Sequence, residues 1–271
     1  MVDKKGNLPF LWEKKSGQWI SQSWKKTADL VVALAEGLQK NGLAPGDRVM
    51  LVSESRKEWP SIDLAIMAAG GITVPAYTTN YKNEHLHVLE DCGANWIIVS
   101  NQALLDRVLP AAEECLKAGQ ILVLDEFTPT ETNLEILRME EIFTKADGNS
   151  TDKLRAMSKN LNGKSIACLI YTSGTGGTPK GVICQHQGIM SNCRDASRIL
   201  TKMELEDEVF LSFLPLSHSY EHTAGQFWPI SIGAQIYYAE SIDKLASNIQ
   251  EVRPTLMSAV PRLYESMRDR I

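Results

Sequence analysis

Residues 172–180 combine small, hydroxylated and basic side chains in an order that suits the binding of a polyphosphate. With their two neighbours on either side, they contain four glycines, four aliphatic hydroxyls and one lysine, Lys180. Glycines let backbone N–H groups approach an anion closely, and hydroxyls supply further donors. Lysine adds a compact positive charge. This segment, which we call the phosphate loop, is therefore predicted to bind phosphate groups.

Apolar runs flank the phosphate loop on both sides. Residues 166–171 lead in and residues 182–184 lead out, and each run is typical of a buried strand. A P-loop would need Gly-Lys-Ser/Thr at the start of a helix, whereas Pro179 precedes the lysine here and an extended pattern follows. A dinucleotide-binding fingerprint also needs a helix after its glycines. The loop is therefore expected to connect two strands, and the plain alternative is a hairpin turn without a ligand.

The composition of the chain excludes several classes of protein. The 271 residues carry a net charge of −5, and 44% of them are hydrophobic. This is ordinary for a globular protein of one or two domains, and the charge argues against nucleic acid as a partner. The five cysteines are odd in number and none are in Cys-x-x-Cys spacing, which indicates neither a disulfide framework nor a zinc site. A cytoplasmic location is expected, because free cysteines suit a reducing compartment.

Membrane-spanning segments are not expected. No signal-peptide pattern follows Met1, and no window reaches about 18 uninterrupted apolar residues. The sequence leaves open whether the protein associates peripherally with a membrane and whether it forms a homodimer.

Predicted strands alternate with predicted helices over most of the chain, which indicates an α/β fold with a mostly parallel sheet flanked by helices. Besides the two strands around the phosphate loop, strands are predicted over residues 48–52, 72–77, 96–99, 120–124, 209–214, 234–239 and 255–260. Residues 12–19 are expected to form a short hairpin, with Ser23 as the N-cap of the next helix. Residues 125–164 are polar and irregular, and they mark the best boundary between subdomains 1–150 and 160–271.

The phosphate loop closely resembles that of the acyl-adenylate-forming, or AMP-binding, enzymes. These include acyl-CoA synthetases, luciferases and the adenylation domains of peptide synthetases, whose pattern is similar to Tyr-Thr-Ser-Gly-Thr-Thr-Gly-x-Pro-Lys-Gly-Val. The chain departs from it at Gly176, where the family usually has threonine. The resemblance extends to Leu43–Ser100 and to Leu214–His218, and it is weakest over residues 101–160.

Two further motifs look most like long-chain fatty acyl-CoA synthetases. They are Leu-Pro-Leu-Ser-His-Ser-Tyr-Glu-His, from residue 214, and Val-Pro-Arg-Leu-Tyr-Glu, from residue 260. Members of this family continue well beyond the length of this chain. By the resemblance, residues 1–271 form a truncated N-terminal AMP-binding domain without the C-terminal domain, and the isolated fragment is expected to be inactive.

The resemblance implies ATP-dependent activation of a long-chain fatty acid to acyl-AMP, followed by transfer of the acyl group to coenzyme A. The substrate carboxylate is the nucleophile, so the protein must supply positioning and charge neutralisation around the triphosphate. ATP, Mg²⁺ and coenzyme A are the implied ligands. Two alternatives stay open: an acyl-adenylating ligase for a short-chain, aromatic or amino acid substrate, and a non-catalytic nucleotide-binding module.

The resemblance assigns the phosphates of ATP to the phosphate loop. The residues that would hold them are Thr172, Ser173, Gly174, Thr175, Gly176, Gly177, Thr178 and Lys180. Thr172 or Thr175 is an implied Mg²⁺ ligand, since this ion takes few ligands from the protein. Lys180 would act in catalysis through its charge near the leaving pyrophosphate, and its alternative role is that of a solvated lysine at a strand edge.

A second group of candidates follows the predicted strand over residues 209–214. His218 lies where site residues usually occur in open α/β sheets, and the resemblance places it beside the acyl and nucleotide pockets as a catalytic candidate. Tyr220 and Glu221 are expected to line the same pocket. His222 falls where some bacterial relatives have a gating aromatic residue at the fatty-acid tunnel, and Arg262 is a candidate for the acyl or pantetheine channel. The alternatives are a structural histidine, surface or capping roles, and a surface arginine; a metal site on the two histidines lacks a third ligand.

Replacing Gly176 by threonine in the full-length protein is expected to tighten ATP binding. The substitution restores one hydroxyl donor, and one hydrogen bond is worth about 1 kcal/mol. The dissociation constant for ATP, measured by equilibrium titration, should fall about fivefold. An unchanged or weaker affinity would contradict this prediction.

Overall fold

The computed structural model describes residues 1–145, 148–173, 178–200, 207–261 and 263. In this part of the chain the strands form two sheets. The strands are β1 (Pro9–Lys15), β2 (Gln18–Ser23), β3 (Arg48–Val52), β4 (Ile72–Pro75), β5 (Trp96–Val99), β6 (Gln120–Val123), β7 (Glu135–Arg138), β8 (Ile166–Ser173), β9 (Pro179–Gln185), β10 (Val209–Ser212) and β11 (Gln235–Tyr238).

Helices cover both faces of the larger sheet and connect most of its strands. They are α1 (Val2–Lys5), α2 (Trp24–Lys40), α3 (Glu58–Ala68), α4 (Lys82–Cys92), α5 (Gln102–Glu114), α6 (Ser150–Lys159), α7 (His186–Leu200), α8 (Ser219–Glu221), α9 (Trp228–Ile232) and α10 (Leu245–Val252). A 3-10 helix covers Met139–Ile142, and a π-helix covers His222–Phe227. None of the helices in the described ranges has the length and apolarity that crossing a membrane requires.

The larger sheet has seven strands in the order β7-β6-β5-β3-β4-β8-β9. All neighbours run parallel except β8 and β9, which form an antiparallel hairpin at one edge. Strands β3 to β5 read as continuous apolar runs because both faces of a parallel sheet are covered. Val49 and Leu51 pack in one core cluster with α2 and α3, whereas Met50 and Val52 pack in the other with α4 and α5. The predicted α/β fold with a mostly parallel sheet is confirmed.

The smaller sheet has the order β10-β11-β1-β2 and joins the start of the chain to its later part. Strand β1 pairs in parallel with β11, with Leu11 opposite Ile236, and in antiparallel with β2. The predicted hairpin over residues 12–19 is thus confirmed, with longer arms. Because each sheet takes strands from both sides of residue 150, the sheets do not divide there, and the two proposed subdomains stay a prediction.

Of the local predictions, one is confirmed and two are wrong. Ser23 caps α2 as predicted, since its hydroxyl accepts from the Lys26 amide at 3.2 Å. Residues 125–164 are not irregular throughout: they contain β7, the 3-10 helix and α6. Strand β7 is only half-buried and gains its backbone partners from β6, so its polar sequence carries no strong strand signal. Residues 255–260 form a single bridge, between Phe210 and Leu256, and not the predicted strand.

The Gly37→Ala substitution is expected to destabilise the fold. An added Cβ at this buried position of α2 would overlap the carbonyl group of Ile142, and backbone cannot yield as a flexible side chain does. Overpacking of this kind costs about 1–3 kcal/mol of unfolding free energy. The matched control is Gly188→Ala in α7, where an added Cβ meets nothing within 4 Å. Urea unfolding should show a loss only for Gly37→Ala, and equal stability of the two variants would contradict the close approach.

Candidate active site

The hairpin of β8 and β9 holds the two ends of the phosphate loop together. Thr172 pairs with Lys180 and Ser173 with Pro179 across the antiparallel ladder. Thr172, Thr178 and Lys180 are exposed. Within the described ranges Lys180 makes no ion pair, so its charge is free to meet an anion. The remaining loop candidates lie outside the described residues: Gly174, Thr175, Gly176 and Gly177.

Helix α4 supports this hairpin through two polar contacts that the sequence did not reveal. The Nε2–H group of His87 donates to the carbonyl oxygen of Pro179 at 2.8 Å, next to Lys180. The Tyr171 hydroxyl donates to Asp91 at 2.5 Å. Burial and this hydrogen bond raise the pKa of Tyr171, which keeps the phenol protonated. These contacts hold both strands of the hairpin against α4.

A cavity of about 770 Å³ lies against the same hairpin, and we call it the first cavity. It is bounded by β8, β9, α7 and the segment that starts at Ser219. Its wall is mostly apolar, with a few polar groups. Among the lining residues are Cys168, Ile170, Ile183, Cys184, Asn192, Tyr220, His222 and Trp228. One hairpin thus carries the phosphate loop at its end and forms a cavity wall along its length.

His222 reaches the first cavity from a buried position on the π-helix. Its Nε2–H donates to the carboxylate of Asp63 at 2.9 Å, and the Gln226 amide donates to the same oxygen at 2.6 Å. Its Nδ1 lies 3.8 Å from the sulfur of Cys168, and its ring meets Trp59 edge-on. The sequence analysis did not identify Asp63 as a site residue. Its carboxylate in the middle of the mostly apolar helix α3 is the feature that could have indicated it.

Glu221 is buried in the core and does not line the first cavity, contrary to the expectation that it lines a pocket. Its carboxyl group is fully buried and accepts hydrogen bonds from the hydroxyls of Ser212, at 2.6 Å, and Ser258. Burial raises its pKa to about 7, an effect that these two hydrogen bonds partly offset. Gly225 leaves the necessary space, because an added Cβ there would overlap the carboxyl group. Ser219, Tyr220, His222 and Thr223 line the first cavity, whereas Glu221 between them is buried in the core.

His218 follows β10 and lies in a second cavity of about 390 Å³. Its side chain is exposed, and its Nδ1 accepts from the Tyr220 amide at 3.2 Å, which caps α8. Tyr220 lines both cavities. Within the described ranges, His218 and Lys180 share neither a hydrogen bond nor a cavity. Arg262 lies outside the described residues.

The candidate metal pair of His218 and His222 has no support in the geometry. Among the described residues, no group of three histidine, cysteine or acidic side chains could hold a metal ion. The Nδ1 of His218 serves the helix cap, and Nε2 of His222 serves Asp63. A metal ion bound through phosphate oxygens needs no such group, because Mg²⁺ takes few protein ligands beside a nucleotide.

The chain belongs to the AMP-binding enzyme family, which it matches over residues 2–270. It is 31% identical over 276 residues to long-chain-fatty-acid–CoA ligase ACSBG2 of Xenopus laevis, covering 100% of this chain and 37% of that protein. It is 29% identical over 275 residues to long-chain-fatty-acid–CoA ligase ACSBG1 of Rattus norvegicus, covering 100% of this chain and 38% of that protein. The chain thus spans well under half the length of these relatives.

Solved structures share the fold. The inhibitor-bound N-terminal domain of FACL13 from Mycobacterium tuberculosis aligns with a TM-score of 0.76 at 21% identity, over 98% of this chain and 62% of that one. A fatty acyl-adenylate ligase from L. pneumophila, in complex with acyl adenylate and pyrophosphate, aligns with a TM-score of 0.73 at 20% identity. The alignment covers 100% of this chain and 44% of that one. At these identities the likeness concerns the fold alone.

The raised pKa of Glu221 is expected to make the stability fall with rising pH. Its folded-state pKa of about 7 lies above the ordinary value of 4.5, so the folded state keeps a proton that the unfolded state has lost. The contribution is complete below about pH 4.5 and is lost as the pH rises through about 7, a change of about 3 kcal/mol in unfolding free energy.

Glu221→Gln should remove this dependence, because the amide does not titrate and keeps a similar shape. Urea unfolding of both proteins at about pH 5 and about pH 7.5 measures the difference in slope. Equal pH dependence of the two proteins would mean that Glu221 is not the buried acid responsible.

Proposed function

We propose that the full protein carrying this sequence activates a long-chain fatty acid with ATP and transfers the acyl group to coenzyme A. One observation carries the proposal: the hairpin of β8 and β9 holds the phosphate loop at its end and lines the first cavity along its length. An acid in that cavity and a triphosphate on that loop would meet beside one pair of strands. The names of the similar ligases support the same activity.

The phosphate loop suits the first half-reaction. A carboxylate oxygen of the acid attacks the α-phosphorus of ATP, and the bond to pyrophosphate breaks. Lys180 then neutralises charge on the leaving pyrophosphate, while the hydroxyls of Thr172 and Thr178 donate to phosphate oxygens. Mg²⁺ supplies further neutralisation when bound, and the exposed Thr172 hydroxyl is a suitable ligand for it. The thiol of coenzyme A next attacks the acyl carbonyl carbon, and AMP leaves.

The first cavity favours an acid with a long hydrocarbon chain. Its apolar wall includes Ile170, Ile183, Ile189, Ala196 and Trp228. Each methylene group that moves from water into contact with such a wall contributes about 0.8 kcal/mol to the free energy of binding. A short-chain acid would forgo most of this gain. The cavity volume of about 770 Å³ leaves room for a chain of many carbons.

Lys180→Ala in the full-length protein is expected to lower kcat for acyl-AMP formation roughly 10²-fold. Removing one preorganised group that stabilises charge in the transition state typically has an effect of this size in enzymes. The measurement is pyrophosphate release with ATP and palmitate. The matched control is Lys164→Ala, which removes an exposed lysine just before β8 and should leave the rate unchanged.

Three results would contradict the proposal. An unaffected Lys180→Ala enzyme would exclude the role of this lysine at the leaving group. A chain-length series in which acetate, benzoate or an amino acid gives higher kcat/KM than palmitate would favour the other acyl-adenylating ligases. Absence of pyrophosphate release with every acid, despite ATP binding, would favour a non-catalytic nucleotide-binding module.

A further inference from the structure

Two cysteines stand opposite each other in the wall of the first cavity. Cys168 on β8 and Cys184 on β9 are direct partners in the antiparallel ladder, so their side chains lie on the same face. Direct partners have Cα atoms about 4.5–5.5 Å apart, which lies within the span of about 4.4–6.8 Å that a disulfide bridges. Both thiols are free, and both residues line the cavity. The Cα separation typical of such partners is therefore one that a disulfide can span.

The two thiols differ in character. Cys168 is fully buried. The interaction between the two thiols lowers the pKa of Cys184 and raises that of Cys168. Cys184 is half-buried and lies nearer to solvent. The thiolate is the attacking form in thiol–disulfide exchange. Cys184 is therefore the sulfur that meets a reagent in the cavity, and Cys168 is the one that resolves the product.

His222 supplies a proton acceptor for the second sulfur. Because its Nε2–H donates to Asp63, the other ring nitrogen carries a lone pair, and this Nδ1 lies 3.8 Å from the sulfur of Cys168. The same order of acid, imidazole and nucleophile activates thiols and hydroxyls in hydrolases. None of the steps assigned above to acyl activation uses this Asp63–His222–Cys168 chain.

We propose that Cys168 and Cys184 form a thiol-exchange site that takes small disulfides of the glutathione type. The Cys184 thiolate attacks one sulfur of glutathione disulfide, giving a mixed disulfide and one glutathione thiolate. Cys168 then loses its proton to Nδ1 of His222 and attacks the Cys184 sulfur, which releases the second glutathione. The two cysteines are oxidised by two electrons, and one glutathione disulfide is reduced to two thiols.

The site is selective because Cys92, Cys115 and Cys193 do not line the first cavity. Burial raises the pKa of Cys92 to about 11 and also raises that of Cys193, so both are poorer nucleophiles near neutral pH. The bridge would also join the two strands on either side of the phosphate loop. Oxidation would therefore change the wall of the first cavity and restrain the hairpin together.

The test is to incubate the protein with glutathione disulfide, alkylate the remaining thiols, and identify the products by intact mass and peptide mapping. The unmodified protein should lose two thiols without a lasting adduct and give a cross-linked peptide that joins residues 168 and 184. Cys168→Ser should keep a single glutathione adduct on Cys184. Cys184→Ser should react at least tenfold more slowly, and the control Cys92→Ser should behave as the unmodified protein does.

Other outcomes overturn the proposal. A stable adduct without the cross-linked peptide in the unmodified protein would show that the thiols cannot meet. Oxidation of Cys184→Ser at the original rate would place the reaction on another cysteine. The cross-linked peptide is read from the unmodified protein, so the test does not depend on the folding of any variant.

Discussion

The buried carboxylate of Asp63 is the constraint around which the site is assembled. A carboxylate without access to water is costly unless donors reach it. Its donors come from His222 and Gln226 on the π-helix, which must therefore pack against α3. His222 in turn contacts Cys168 on β8. These contacts hold α3, the π-helix and β8 in one arrangement.

The π-helix follows from the same constraint. The segment from residue 219 to residue 232 is nearly continuous helix, and its middle turn is widened between α8 and α9. Turns of this type recur at functional sites, because they alter which side chains share a face. Here the widened turn directs His222 towards the cavity and Asp63, while Glu221 is buried between two serines. Gly225 makes room for that carboxyl group.

The hairpin of β8 and β9 connects the phosphate loop with the first cavity. It ends an otherwise parallel sheet with one antiparallel pair, so the chain passes between these neighbouring strands without a long crossover. His87 and Asp91 on α4 hold it from the side opposite to α7. Because one wall serves both regions, a change in the hairpin reaches both the loop and the cavity.

Much of the fold followed from patterns that need no tertiary information. Apolar runs such as β3 and β5 predict a buried parallel sheet, because only strands covered on both faces lack polar alternation. The glycines, hydroxyls and lysine of the phosphate loop predict its chemistry through residue type and spacing alone. Strand β7 was missed, since a half-buried edge strand owes its pairing to β6 and not to its own residues.

The sequence by itself determined the α/β class, the two strands that flank the phosphate loop, and the family to which the chain belongs, since each depends on local order along the chain. Only the tertiary structure decided that Glu221 turns inward, that Asp63 binds His222, and that Cys168 faces Cys184. Those relations join residues far apart in sequence, and burial sets their energies. The packing of helices against the sheet decides which groups meet there, and no local pattern records it.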